Sequence, residues 1–158
     1  MRSVVAIFLG LVLAMVIGLL VVFGFFAPIL SFVFGLEGGA WIGSLLPSLL
    51  VLFAAAFSFY FGGMAAAYHA RTRRRLHGTL VGVVAGAASL LANLLGVGAG
   101  TQATETPGLI ALYLLVIAVS IAAATVGGKR GEALYAYNRK FSPPEKTSRK
   151  PSRRRDGS

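Results

Sequence analysis

Four uninterrupted apolar runs constrain this chain more than any other feature. They cover residues 4–26, about 47–68, about 78–97 and 108–127, and none contains an Asp, Glu, Lys or Arg. A helix needs about 20 apolar residues to cross a hydrocarbon core of roughly 30 Å. The first run, at about 1.5 Å per residue, reaches roughly 35 Å and can cross with some tilt. Pro47 stands near the start of the second run and Pro107 just before the fourth. A missing N–H costs little at a helix start. Strands fit poorly, because the runs are long, lack apolar/polar alternation and are dominated by Ala, Leu and Gly. Composition agrees. Of 158 residues, 56% are hydrophobic and only 13% charged, against roughly 25% charged in an ordinary soluble domain. The expected fold is all-α: a transmembrane four-helix bundle over residues 1–128, with short loops and a disordered basic C-terminal tail.

The first run is expected to be an uncleaved anchor. Its apolar stretch exceeds that of a signal peptide, whose apolar region is about 7–15 residues, and no Ala-x-Ala site follows it. Short connections make neighbouring helices antiparallel. Residues 27–43 read as an apolar, interfacial loop in which Trp41 suits the headgroup level. Residues 70–77 (ARTRRRLH) read as a tight basic turn, residues 98–107 (GAGTQATETP) as a flexible polar one, and Gly127-Gly128 as the exit from the membrane.

Charge then sets an orientation. Every Lys and Arg lies at Arg2, at Arg71, Arg73, Arg74 and Arg75, or from Lys129 onward. Four crossings put these three regions on one side, which carries +12, while Glu37 and Glu105 give the other side −2, for the net +10. Positive segments resist translocation, so both termini are expected in the cytoplasm and the protein in the plasma (inner) membrane. This also accounts for the basic balance without nucleic acid.

Hydrophobicity does not draw one span onto another in lipid; close approach at small residues and interhelical hydrogen bonds do. The third run carries Gly78, Gly82, Gly86, Ser89 and Asn93 along one helical side, continued by Gly96. The second offers Ser58, Gly62 and Ala66, with Gly63 and Ala67 beside them; the first Gly10, Ala14 and Gly18; the fourth Ala118, Ala122 and Thr125. The expected arrangement is a compact bundle with the third helix central. Homo-oligomerisation or a partner helix is the alternative use of these stripes.

Chemistry is sparse. The absence of cysteine excludes disulfides, thiolate metal sites and a cysteine nucleophile. His69 and His77 flank the arginine turn without a carboxylate, a poor metal site that reads instead as helix-end capping. No HExxH, GxSxG or carboxylate pair is present, so neither an enzyme nor a cofactor is expected. No ionisable group falls inside a run, which argues against proton-coupled transport. The main functional expectation is a non-enzymatic membrane protein acting through helix packing and lipid or partner contact. The alternative is a small channel, transporter or holin-like permeabilising protein using Ser58, Tyr60, Ser89, Asn93 and Ser120 as a polar path.

The tail divides in two. Residues 129–141 (KRGEALYAYNRKF) can extend the fourth helix or lie along the surface as an amphipathic segment. Lys129, Arg130, Arg139 and Lys140 would there join Arg71, Arg73, Arg74 and Arg75 in contacting anionic headgroups on the cytoplasmic face, each worth about 1 kcal/mol. Residues 142–158 (SPPEKTSRKPSRRRDGS) combine Pro, Ser and clustered charge and cannot fold alone.

The stretch FGGMAAAYHARTRRRLHGTLVGVVAG resembles the central hairpin of uncharacterised small four-span bacterial membrane families. In these a span closes with Gly-Gly-x-x-Ala, a basic turn follows, and His-Gly opens a glycine-rich span. The positions that carry the resemblance are Gly62, Gly63, Ala66, His77, Gly78 and Gly82. It implies four-span topology and a bacterial plasma membrane, and no reaction. Gly62-Gly63 and Gly127-Gly128 also stand alike, each before a basic, Tyr-containing segment; two such hairpins would be related by an axis along the membrane normal.

Overall fold

A computed structural model describes residues 2–34, 45–95 and 107–141. The elements are α1 (Arg2–Val21), a π-helical turn (Val22–Phe26), α2 (Ala27–Phe34), α3 (Leu45–His69), α4 (Arg74–Leu94) and α5 (Pro107–Phe141). Among the described residues there is no strand. Four helices are long and apolar enough to cross a membrane, over Ser3–Ile29, Ser48–His69, Arg74–Leu94 and Ile110–Phe141.

The first span is one rod. It runs through Pro28 into residues that the sequence suggests are loop, and the ladder widens just before that proline, where the Ala27 N–H bonds to the Val22 carbonyl. Proline has no N–H to give the Gly24 carbonyl and crowds it, and a π-helical turn absorbs such a mismatch. Trp41, Glu37 and Glu105, most of the 98–107 turn, and the 142–158 tail lie outside the described residues.

α4 begins four residues earlier than the third apolar run, so Arg74–His77 are its first turn and the loop before it shrinks to residues 70–73. Arg73 carries the reversal in a left-handed conformation, φ 45°, and its carbonyl accepts from the Leu76 and His77 N–H groups. At the end of the fourth span the structure decides between the two readings of residues 129–141. Gly127-Gly128 do not end the fourth helix. α5 is continuous for 35 residues, about 52 Å at the usual rise, so residues 129–141 are its extension rather than a separate surface segment.

Contacts fix the topology. Gly10 meets Gly62 and Ala66 while Gly18 meets Ser58, so α1 and α3 are antiparallel. Gly78, Gly82 and Gly86 meet Gly128, Ile121 and Ile117 in turn, so α4 and α5 are antiparallel too. Gly63 and Gly131 lie against Ala124 and Ala67, which makes α3 and α5 parallel. The third helix is therefore not alone at the centre. α3 and α4 each pack on both α1 and α5, and the broadest interface joins α3 to α5.

The bundle is built inside out relative to a water-soluble domain. Among the described residues the buried apolar side chains are small: Ala6, Ala14, Ala54, Ala66, Ala67, Ala70 and Ala124, with Val81 the largest side chain almost wholly enclosed. Phe8, Met15, Leu20 and Phe23 are about two-thirds exposed. A water-soluble monomer rarely shows so continuous an apolar surface; hydrocarbon solvates it without penalty.

Candidate functional site

Close helix approach organises the interior. A methyl group on Gly62 would fall 2.6 Å from the Gly10 carbonyl oxygen, and one on Gly82 would fall 2.7 Å from Ile121 Cα. Both neighbours are backbone, which cannot swing aside. Gly63, Gly78 and Gly86 are also buried, as the small-residue pattern suggests. Ser89 and Asn93, placed on the same stripe, are not: Ser89 is exposed and shares a 2.8 Å hydrogen bond with the Tyr113 hydroxyl of α5, and Asn93 is half-buried. Past Gly86 the close glycine contacts thus give way to a side-chain hydrogen bond between α4 and α5.

The fourth span corrects the expectation more sharply. Ala118 and Ala122 are exposed and Thr125 only half-buried. The face that packs is Ser120, Ala124, Gly127, Gly128 and Gly131. Gly127 lies directly on the Tyr60 carbonyl, and Gly131 on that of Met64. With Gly63 on Ala124, these contacts form a nearly two-fold crossing: Gly63-xxx-Ala67 of α3 lies against Gly127-xxx-Gly131 of α5. Small residues four apart are what parallel spans use for such close crossing.

Polar side chains within the spans are mostly satisfied by their own helices. Ser58 donates to the Ala54 carbonyl at 2.6 Å, Ser120 to Val116 at 2.7 Å and Thr125 to Ile121 at 2.7 Å. His69 and His77 likewise donate from Nδ1 to the carbonyls of Ala65 and Arg73. Bonds to the i−4 carbonyl tie these groups to their own backbone rather than to a path between helices. An open apolar cleft of about 600 Å³ runs between the first and second spans, and Ser58 is its one hydroxyl-bearing lining residue.

The polar end of the bundle holds a different constellation. There the α3–α4 turn is clamped to the extension of α5. Arg74 donates from Nη1 to the Tyr68 carbonyl at 2.8 Å, and its guanidinium carbon lies 3.2 Å from the centroid of the Tyr135 ring. Tyr135 meets Tyr68 edge-on at 5.9 Å, and Asn138 donates to the Tyr68 hydroxyl at 3.1 Å. Arg75 pairs with Glu132. Beside this clamp a second cavity, about 440 Å³, is lined by Arg74, Glu132, Tyr135, Ala136, Arg139 and Lys140. Of the cations singled out from the sequence, the structure brings Arg74, Arg139 and Lys140 to one cavity and puts Arg75 on Glu132. Arg71, Arg73, Lys129 and Arg130 are exposed and do not line it. Tyr68, Glu132, Tyr135 and Asn138 escape a reading based on charge alone, because their role comes from a helix continuing past the membrane.

No protein-family model, no curated protein and no solved structure matches the chain.

Proposed function

We propose that the chain is a non-enzymatic integral protein of the plasma (inner) membrane, with both termini on the cytoplasmic side. It acts through helix packing and through contact of its basic end with anionic headgroups or a membrane partner. One observation carries this reading. The start of α1, the α3–α4 turn and the extension of α5 share one end of the bundle, as the Gly10–Ala66 contact and the Arg75–Glu132 pair require. Segregation of Lys and Arg to one end is what retention on the cytoplasmic side produces. The apolar exterior between the ends supports a lipid environment. The non-enzymatic part rests on the sequence, which offers no nucleophile, base and carboxylate set.

The chain has no cysteine, so single cysteines report position without background. A membrane-impermeant maleimide applied to intact cells is expected to label Gly108→Cys and to spare Thr72→Cys until the cells are permeabilised. Labelling of Thr72→Cys on intact cells would overturn the orientation.

A further inference from the structure

We infer that the cavity between Arg74, Arg139 and Lys140 is a built site for one anionic phospholipid headgroup, its phosphate held by these three cations. The inference rests on the membrane reading above and goes further: it replaces a diffuse basic surface with a single stoichiometric site.

The charge around the cavity is uneven in a useful way. Three cations line it with one carboxylate, Glu132, and that carboxylate is paired with Arg75, which is not a lining residue. The local balance therefore favours an anion. Arg74 is held in place before any ligand arrives, by the Tyr68 carbonyl and the Tyr135 ring. It uses Nη1 for its backbone bonds, and a guanidinium has five N–H donors in a rigid fork suited to phosphate oxygens. Arg139 and Lys140 sit in the last turn of α5 and are exposed. Among the described residues the Arg75–Glu132 pair is the one salt bridge, and neither Arg139 nor Lys140 enters it.

Depth fits as well. Gly128 is the last residue of the charge-free part of α5. At about 1.5 Å per residue, Glu132 lies roughly 6 Å beyond it, Ala136 about 12 Å, and Arg139 and Lys140 about 17–18 Å. The headgroup layer adds roughly 5–8 Å to each side of the hydrocarbon core. The Glu132 end of the cavity thus lies at headgroup level, where Tyr135 suits the interface, and Arg139 and Lys140 form its outer rim, farther from the hydrocarbon. A mobile polybasic segment has no fixed cavity, and its attraction falls off with screening; a charge-assisted site with a preset guanidinium keeps its ligand at higher salt.

The test uses the full chain in mild detergent, with lipid adducts counted by native mass spectrometry. Phosphatidylglycerol, phosphatidylcholine and inorganic phosphate are titrated separately and in competition. One phosphatidylglycerol is expected to bind at least about tenfold tighter than phosphatidylcholine and to persist at salt that removes further copies. Arg139→Ala with Lys140→Ala should weaken that first copy about tenfold or more, while Lys129→Ala with Arg130→Ala, which removes equal charge outside the cavity, should change it little. Glu132→Gln should tighten it. Thermal melting of each variant checks that the bundle persists. Equal loss in the two double variants would overturn the site and leave the wider lipid-contact reading standing. Equal binding of both lipids would overturn that reading itself. Displacement by millimolar inorganic phosphate would overturn a lipid as the ligand.

Discussion

The crossing of α3 and α5 offers the sharpest test of the packing, because Gly127 lies against the Tyr60 carbonyl with no room for a methyl group. Consider Gly127→Ala. The clashing atom belongs to the backbone, so relief requires the two helices to part, by on the order of 1 Å. A gap of that size forfeits roughly a quarter to a half of each dispersion well, and each well is worth about 0.1–0.2 kcal/mol. A crossing with on the order of twenty atom pairs then loses about 0.5–2 kcal/mol, within the about 1–3 kcal/mol usual for overpacking. Alanine returns up to about 1 kcal/mol through its higher helix propensity. The expected net cost is between about 0 and 1 kcal/mol for alanine, and more for leucine.

Gly108 provides the internal control, since a methyl group there meets nothing within 4 Å; Gly108→Ala should be neutral or slightly stabilising. Dyes on Leu49→Cys and Ile110→Cys, both exposed and at the same end of parallel helices, report separation of α3 from α5 by energy transfer. The assay is sodium dodecyl sulfate titration from mild micelles. The midpoint should fall in the order Gly108→Ala, Gly127→Ala, Gly127→Leu. Equal midpoints for Gly108→Ala and Gly127→Leu would refute the crossing.

Gly82→Leu should destabilise the bundle more than Gly86→Leu in the same assay, because Gly82 meets the Ile121 backbone whereas Gly86 meets only the Ile117 side-chain methyl at 2.9 Å. Tyr135→Phe should leave thermal melting almost unchanged, since the ring face over Arg74 remains, and Tyr135→Ala should cost about 0.5–2 kcal/mol. Glu132→Gln should alter stability by less than about 1 kcal/mol by the same measurement, because both partners in its pair with Arg75 are partly solvated. Liposomes holding the reconstituted protein should not leak a small ionic dye, because Ser58, Ser120 and Thr125 bond to their own helices instead of lining a path.

Span number and fold class were legible because lipid imposes a length and a polarity on any helix that crosses it. The glycine faces of α3 and α4 were legible because their spacing is strictly helical. The fourth span was misread for a physical reason. A glycine pair after an apolar run signals a helix end in water, where αL caps are common. Here Gly127 and Gly128 are interior residues that let α5 touch α3 and α4. A stripe counted only within the apolar run favours Ala118 and Ala122, which face outward, and misses the spacing Ser120, Ala124, Gly127, Gly131, which runs past it. The clamp was legible in part: extension of the fourth helix through residues 129–141 is one of the two readings the sequence allows, and Tyr135 and Asn138 reach Tyr68 on that one.

That continuation ties the two halves of the reading together. A helix of about 52 Å exceeds a hydrocarbon core of roughly 30 Å by several turns. The excess lies at the basic end, because Glu132 and Tyr135 meet Arg75 and Arg74 there. Within the hydrocarbon region the described surface of the bundle is largely apolar, and hydrocarbon cannot distinguish one such surface from another by charge. Chemical selectivity therefore falls to the polar ends. At the basic one, α5 and the α3–α4 turn hold Arg74 in a set position beside Arg139 and Lys140. Packing at Gly63, Gly127 and Gly131 sets the register of α5 on α3, and so decides whether Tyr135 lies under Arg74. A change in that crossing should accordingly weaken lipid retention at the cavity, whose α5 lining begins five residues farther along the helix: Gly127→Leu should lose the first phosphatidylglycerol even in micelles where the four helices stay together. Full retention of that lipid by Gly127→Leu would show that the clamp forms without the crossing.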